Sequence, residues 1–155
     1  MKLIKLYKNL NKTSIGFSLI ELMVVVAIIA ILSVLSVPRF SEFLAKAKRA
    51  EAYINLGALA LAQKAHFAEH GNYSDNIEEL GWQPEGQVNY TYGFTGAEGK
   101  NYVTGKLQTP ASELRSKITP EGFTISAAGY IYSNNKADLL TVDENNAITV
   151  AQDGI

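Results

Sequence analysis

The residues whose types and spacing could do chemistry fall in three places. His66-Phe67-Ala68-Glu69-His70 fits H-x-x-E-H, where two imidazoles on one helical face hold zinc and the glutamate between them handles a proton. These are the 2 histidines of the chain, there is no cysteine, and no obvious further ligand stands by. The pattern also falls in the last turn before Gly71, where histidines interact favourably with a helix dipole, and that is the preferred reading. Asp138, Asp143 and Asn145 offer oxygen ligands close in sequence. Calcium takes six to eight oxygens and the spacing is no EF-hand, so these read first as turn residues. No metal or other cofactor is therefore expected, calcium on Asp138, Asp143 and Asn145 being the one candidate. The third place is Glu21, a carboxylate inside an apolar run from Phe17 to Val37 whose other polar members are Ser18, Ser33 and Ser36. At the centre of a bilayer such a group costs roughly 2.5 to 3.5 kcal/mol, less near an interface, so it asks for a reason.

The elements that would position these groups follow from a gradient along the chain. The formal charge of −1 over 155 residues suits one ordinary domain without a basic surface for nucleic acid. Yet Lys2, Lys5, Lys8 and Lys12 precede residue 17 with no acid among them, and the remainder carries a net of −5. Between them, Phe17–Val37 as a helix spans roughly 30 Å, the thickness of a bilayer's hydrocarbon. Lysines ahead of the span place the N-terminus in the cytoplasm, although Arg39, Lys46, Lys48 and Arg49 after it weaken that bias. An ordinary signal peptide cut near Val34-Leu35-Ser36 is the competing reading.

The junction Gly16-Phe17-Ser18-Leu19-Ile20-Glu21-Leu22, with the apolar run to Leu35 and Pro38 beyond it, resembles the N-terminal signal of type IV prepilins and of type II secretion pseudopilins. The resemblance implies cleavage of a basic leader, residues 1–16, after Gly16 and N-methylation of Phe17 by a prepilin peptidase and methylase. It implies that residues 17–38 cross the inner membrane in the precursor and then form the core of a filament, a homopolymer with other pilin subunits built by inner-membrane assembly machinery. Glu21 and Pro38 are its assembly positions: the carboxylate would neutralise the terminal amine of a neighbour, since each charge alone is costly among apolar helices. A plainer role for Glu21 is to cap the helix start, where the macrodipole favours an acid. The mature filament would be extracellular, or periplasmic in a pseudopilus, and adhesion, motility or DNA uptake are the roles the resemblance opens. No catalysis is expected. A secretion pseudopilin is the alternative, favoured by the missing cysteines and the calcium candidates, and an exported soluble domain with an ordinary signal peptide is the lower one.

Beyond Pro38, which favours a kink or local unwinding, apolar residues recur at Phe40, Phe43, Leu44, Ala47, Ala50, Ile54, Ala58, Leu61, Ala65 and Ala68. That three-and-four spacing marks one stripe of an amphipathic helix, ended by Gly71-Asn72. Residues 17 to about 70 then make one element of roughly 80 Å, far too long for the inside of a small domain. Asp75 and Glu78 read as a capping box for a short turn ending at Leu80-Gly81. Val88, Tyr90, Tyr92 and Phe94 alternate with polar or small residues as a strand, and Tyr102–Leu107, Phe123–Tyr132, Leu139–Val142 and Ala147–Val150 follow. A short helix is expected at Glu113–Lys117, and the Asp143–Asn146 turn closes a terminal hairpin. The fold class is α+β: a long N-terminal helical stalk packed on a small antiparallel sheet, whose apolar face is expected to cover the stripe, in a head of residues 39–155. Asn72-Tyr73-Ser74 and Asn89-Tyr90-Thr91 match a permissive glycosylation pattern and read as ordinary turn and strand residues.

Overall fold

The computed structural model describes residues 16–133 and 135–155, so most of the basic leader lies outside the described residues. The chain divides into two compact units, Met1–Val37 and Pro38–Ile155. In the first, the described backbone becomes helical at Leu19, and every residue from Gly16 to Val37 is exposed. In the second, α1, whose bounds are Leu19–His70, packs its C-terminal part on an antiparallel sheet. The helical assignment runs unbroken through Pro38. It ends where expected: Gly71 has φ +74 and its N–H donates to the carbonyl of Phe67 at 2.8 Å, a left-handed cap that costs glycine nothing.

The strands are β1 Thr91–Gly93, β2 Tyr102–Val103, β3 Lys117–Thr119, β4 Gly122–Gly129, β5 Asp138–Asp143 and β6 Ile148–Gln152. Their order is β2-β1-β4-β5-β6, with β3 also paired to β4. β1 occupies the C-terminal half of one edge of β4 (Tyr92 opposite Ala127) and β3 the N-terminal half (Ile118 opposite Phe123). Between the two, Ser116 Oγ donates to the carbonyl of Gly93 and accepts the N–H of Ser126 at 2.8 Å, so a hydroxyl fills the gap in the ladder. The strands read from the sequence do not include β3, which is three residues long and therefore shows no period of its own. Pro120 follows it, fixing φ in the turn back to β4.

Three further local readings are corrected. The expected helix at Glu113–Lys117 is a single 3-10 turn at Ala111–Glu113, because Lys117 is already paired in β3. The expected first strand contracts to Thr91–Gly93, since the carbonyls of Val88 and Asn89 accept from Lys106 and Leu107 in a loop. The Asp75–Glu78 capping box is not formed: Asn76 Oδ1 accepts the N–H of Glu78 at 3.1 Å, and Ser74 Oγ donates to Glu79 at 2.8 Å.

The largest correction concerns which face of α1 meets the sheet. The buried residues of the helix are Ala45, Ala52, Leu56, Leu59, Ala60 and Gln63, packed with Tyr90, Tyr92, Ile125, Ala127, Leu140 and Val142. Every member of the stripe read from the sequence, from Phe40 to Ala68, is exposed. At about 100° per residue the two sets are centred roughly 180° apart. The core face is narrower, poorer in large residues and interrupted by Gln63, and so was overlooked. Gln63 is satisfied: its amide donates to the carbonyl of Ser74 and accepts the N–H of Ser74 at 3.2 Å, pinning the returning chain to the helix end. On the far face of the sheet Ala128 and Leu139 form a smaller cluster with Leu114, under the loop that carries the 3-10 turn.

Truncation distinguishes the two faces. Leu56→Ala, fully buried, is expected to cost about 2–5 kcal/mol in denaturant unfolding, whereas Ile54→Ala, 74% exposed, should stay within about 0.5 kcal/mol.

Candidate functional site

At the N-terminal junction Gly16, Phe17 and Ser18 precede the helix, in exposed, non-helical backbone, the form a peptidase can bind. Ser18 and Glu21 form a capping box. The Ser18 N–H donates to Glu21 Oε2 at 2.8 Å, the Ser18 hydroxyl donates to the same oxygen at 2.7 Å, and the Glu21 N–H donates back to Ser18 Oγ at 3.3 Å. The plainer role for Glu21 is thus realised within the chain, and both donors to its carboxylate come from one neutral serine. Phe17 is 74% exposed ahead of it.

From Leu19 to Val37 the helix is apolar on all sides and exposed on all sides. It is long and apolar enough to cross a membrane. Its serines are made harmless to such surroundings by bonding the preceding turn: Ser33 Oγ donates to the Ile29 carbonyl at 2.7 Å and Ser36 Oγ to the Leu32 carbonyl at 2.8 Å. The geometry offers an exposed, non-helical backbone at Gly16–Ser18, a capped carboxylate at Glu21, and a long apolar surface beyond it.

The prokaryotic N-terminal methylation motif matches residues 11–37, spanning this junction and the whole apolar run. The chain thus carries a prokaryotic N-terminal methylation signal. It is 44% identical over 100 residues to the Type IV major pilin protein PilA of Myxococcus xanthus, a stretch covering 64% of this chain and 46% of that one. The chain thus spans under half the length of the curated relative it matches. The α+β pilin-like fold, a long N-terminal helix followed by a small antiparallel sheet, accords with that similarity.

The remaining candidates are dispersed by the fold. Pro38 stands where the second compact unit begins. His66 and His70 stack with ring centroids 4.4 Å apart; His66 Nδ1 bonds the Asn72 carbonyl at 2.9 Å and His70 Nδ1 the His66 carbonyl at 3.3 Å. The pair secures the helix end, and among the described residues no group of three His, Asp or Glu side chains could hold a metal. Asp138 and Asp143 are at opposite ends of β5, about 17 Å apart at the usual rise of a strand, so they cannot share one ion. Asp143 Oδ1 accepts the N–H groups of Asn145 (3.0 Å) and Ala147 (2.8 Å), the ordinary work of an Asp in a hairpin turn. The calcium reading of Asp138, Asp143 and Asn145 is corrected accordingly. Of the two sequons, Asn89 is committed, its Nδ2 donating to Glu51 at 2.5 Å and its N–H to the same carboxylate at 2.8 Å, while Asn72 is exposed.

Sequence reasoning missed Glu51, Arg49 and Asp138 as partners. Glu51 collects Asn89 and the hydroxyl of Tyr92 (3.1 Å), tying helix to β1. Burial, aided by the Glu51 carboxylate, pushes the Tyr92 phenol far above its ordinary value, so it stays a donor. No spacing signals such pairs, which lie 38 and 41 residues apart.

Millimolar calcium or a chelator is expected to leave the melting midpoint unchanged. Calcium held at a hundred times its Kd would instead add about 2.7 kcal/mol, a shift calorimetry reads easily.

Proposed function

We propose that this protein is the structural subunit of a type IV pilus and performs no catalysis. The precursor sits in the inner membrane through residues 17–37, a prepilin peptidase cleaves after Gly16, Phe17 is N-methylated, and the assembly machinery draws the mature chain into a homopolymer. The filament lies outside the cell, where adhesion, motility or DNA uptake depend on its surface.

One observation carries this reading: the helix offers apolar surface that nothing among the described residues covers. Phe17–Val37 is exposed all round, and the head half of α1, whose opposite face already holds the sheet, exposes Phe40, Phe43, Ile54 and Leu61 in addition, each more than 60% accessible. Such a surface marks a contact with a membrane or with another protein. Ala47, Ala50, Ala58, Ala65 and Ala68 within the same stripe allow helices to approach closely. Within a filament the Glu21 carboxylate, whose donors within the chain are neutral, takes the methylated amine of a neighbour as counter-ion and fixes register, because a slipped helix leaves both charges unpaired. The similarity to a type IV major pilin supports the pilus over the secretion pseudopilus, and the calcium candidates that spoke for the latter are too far apart to form a site.

Mass analysis of the processed protein is expected to find a chain starting at N-methylated Phe17; a start near Val37 would return it to exported soluble domains. Leu61→Glu, on the outward stripe at 63% exposure, should leave the stability of the detergent-solubilised subunit within about 0.5 kcal/mol while abolishing sheared pili. Pili at the native yield would remove the head half of the helix from the proposed subunit contact.

A further inference from the structure

The chain has no cysteine, yet its last residues are held tightly against the helix. Arg49 of α1 reaches Asp138 with two nitrogens, Nε to Oδ2 at 2.9 Å and NH2 to Oδ1 at 2.5 Å, and the same NH2 reaches Asp153 Oδ1 at 2.5 Å. Asp138 is fully buried. Its Oδ2 also accepts the hydroxyl of Tyr90 at 2.6 Å, and its Oδ1 the N–H of Gly154 at 3.0 Å. A Cβ on Gly154 would lie 2.5 Å from the Asp138 nitrogen, so the tail can come this close only as glycine. Two flanking bonds follow the same seam: Gln152 Nε2 donates to the Ala137 carbonyl at 2.7 Å, and Lys48 Nζ to the Ile131 carbonyl at 3.4 Å. The helix, the start of β5 and the residues after β6 thus converge on one guanidinium.

We propose that Arg49, Asp138 and Asp153 form a non-covalent latch that closes the C-terminal segment onto the helix. The two arms are unequal. A buried carboxylate needs its partner, so the Asp138 arm is part of the core, and removing either side leaves a charge stranded. Asp153 has a side chain 63% accessible, so its arm opens and closes without exposing the core. Arg49 holds the Asp153 carboxyl below its usual range by hydrogen bonding, and the Ile155 N–H adds to it. Burial opposes the charge on Arg49, and the bonds to both aspartates more than offset it. Lys136 is the other cation acting on Asp153.

Hydrogen–deuterium exchange on the full-length protein in detergent micelles tests the latch, comparing amides of residues 152–155 with those of β4. Asp153→Asn should accelerate exchange in the tail about two- to fivefold, the range an exposed ion pair supports, and leave β4 unchanged. The difference between wild type and Asp153→Asn should shrink at 1 M salt, where the screening length falls to about 3 Å. Tail protection untouched by Asp153→Asn, or an effect equal at low and high salt, overturns the proposal. In Arg49→Gln the tail should open at lower denaturant than β4, and adding Asp153→Asn should change nothing further. Should Arg49→Gln not fold, the Asp153→Asn and salt comparison decides alone.

Discussion

The head depends on the packing of one face of α1 against the sheet. Ala45, Ala52 and Ala60 are fully buried there, in one core with Ala127 of β4. Leu56 and Leu59 from the helix and Tyr90, Tyr92 and Ile125 from the sheet side supply its large side chains. Polar side chains of the helix also reach across this contact. Glu51 reaches the N–H of Asn89, Gln63 reaches Ser74, and Arg49 reaches Asp138, each of them a helix side chain tied to a different part of the chain. Among the described residues no buried side-chain nitrogen or oxygen lacks a partner, which a core with this many polar groups requires.

The same contact explains why the helix is apolar on its other side. A helix inside a small soluble domain ordinarily turns polar away from its core. Here the outward arc from Phe40 to Ala68 contains phenylalanine, isoleucine and leucine, and the polar residues lie between the two arcs. One element therefore carries two apolar faces: one covered by its own sheet, the other exposed and, in the proposed filament, available to like helices.

The charged groups are distributed by the same logic. Surface pairs such as Glu42 with Lys46 at 2.7 Å are local, one turn apart, and contribute little. The groups that matter to architecture join distant segments: Arg49 and Asp138 are separated by 89 residues and Arg49 and Asp153 by 104. Burial around Tyr90, together with the carboxylate it donates to, pushes its phenol far up and keeps the network's donors and acceptors in one arrangement.

By itself the sequence was enough for several local or periodic features: the Gly16-Phe17…Glu21 junction, the apolar run, the helix ending at Gly71, and the hairpin around Asp143–Asn146. Those features are written in neighbouring residues, where a cap, a missing side chain or a repeat has its effect within one or two turns. Periodicity also showed that the head half of α1 has an apolar stripe, but could not say that the sheet would choose the opposite face. Tertiary structure decided that, because burial depends on which face the returning strands reach: the core takes Ala52, Leu56, Leu59 and Ala60 and leaves Phe40, Phe43 and Ile54 exposed. Tertiary structure likewise brought Arg49 to Asp138 and Asp153 and turned suspected calcium ligands into a salt-bridged seam and a hairpin turn. Such contacts have no spacing signal, since they exist only once the chain has returned upon itself.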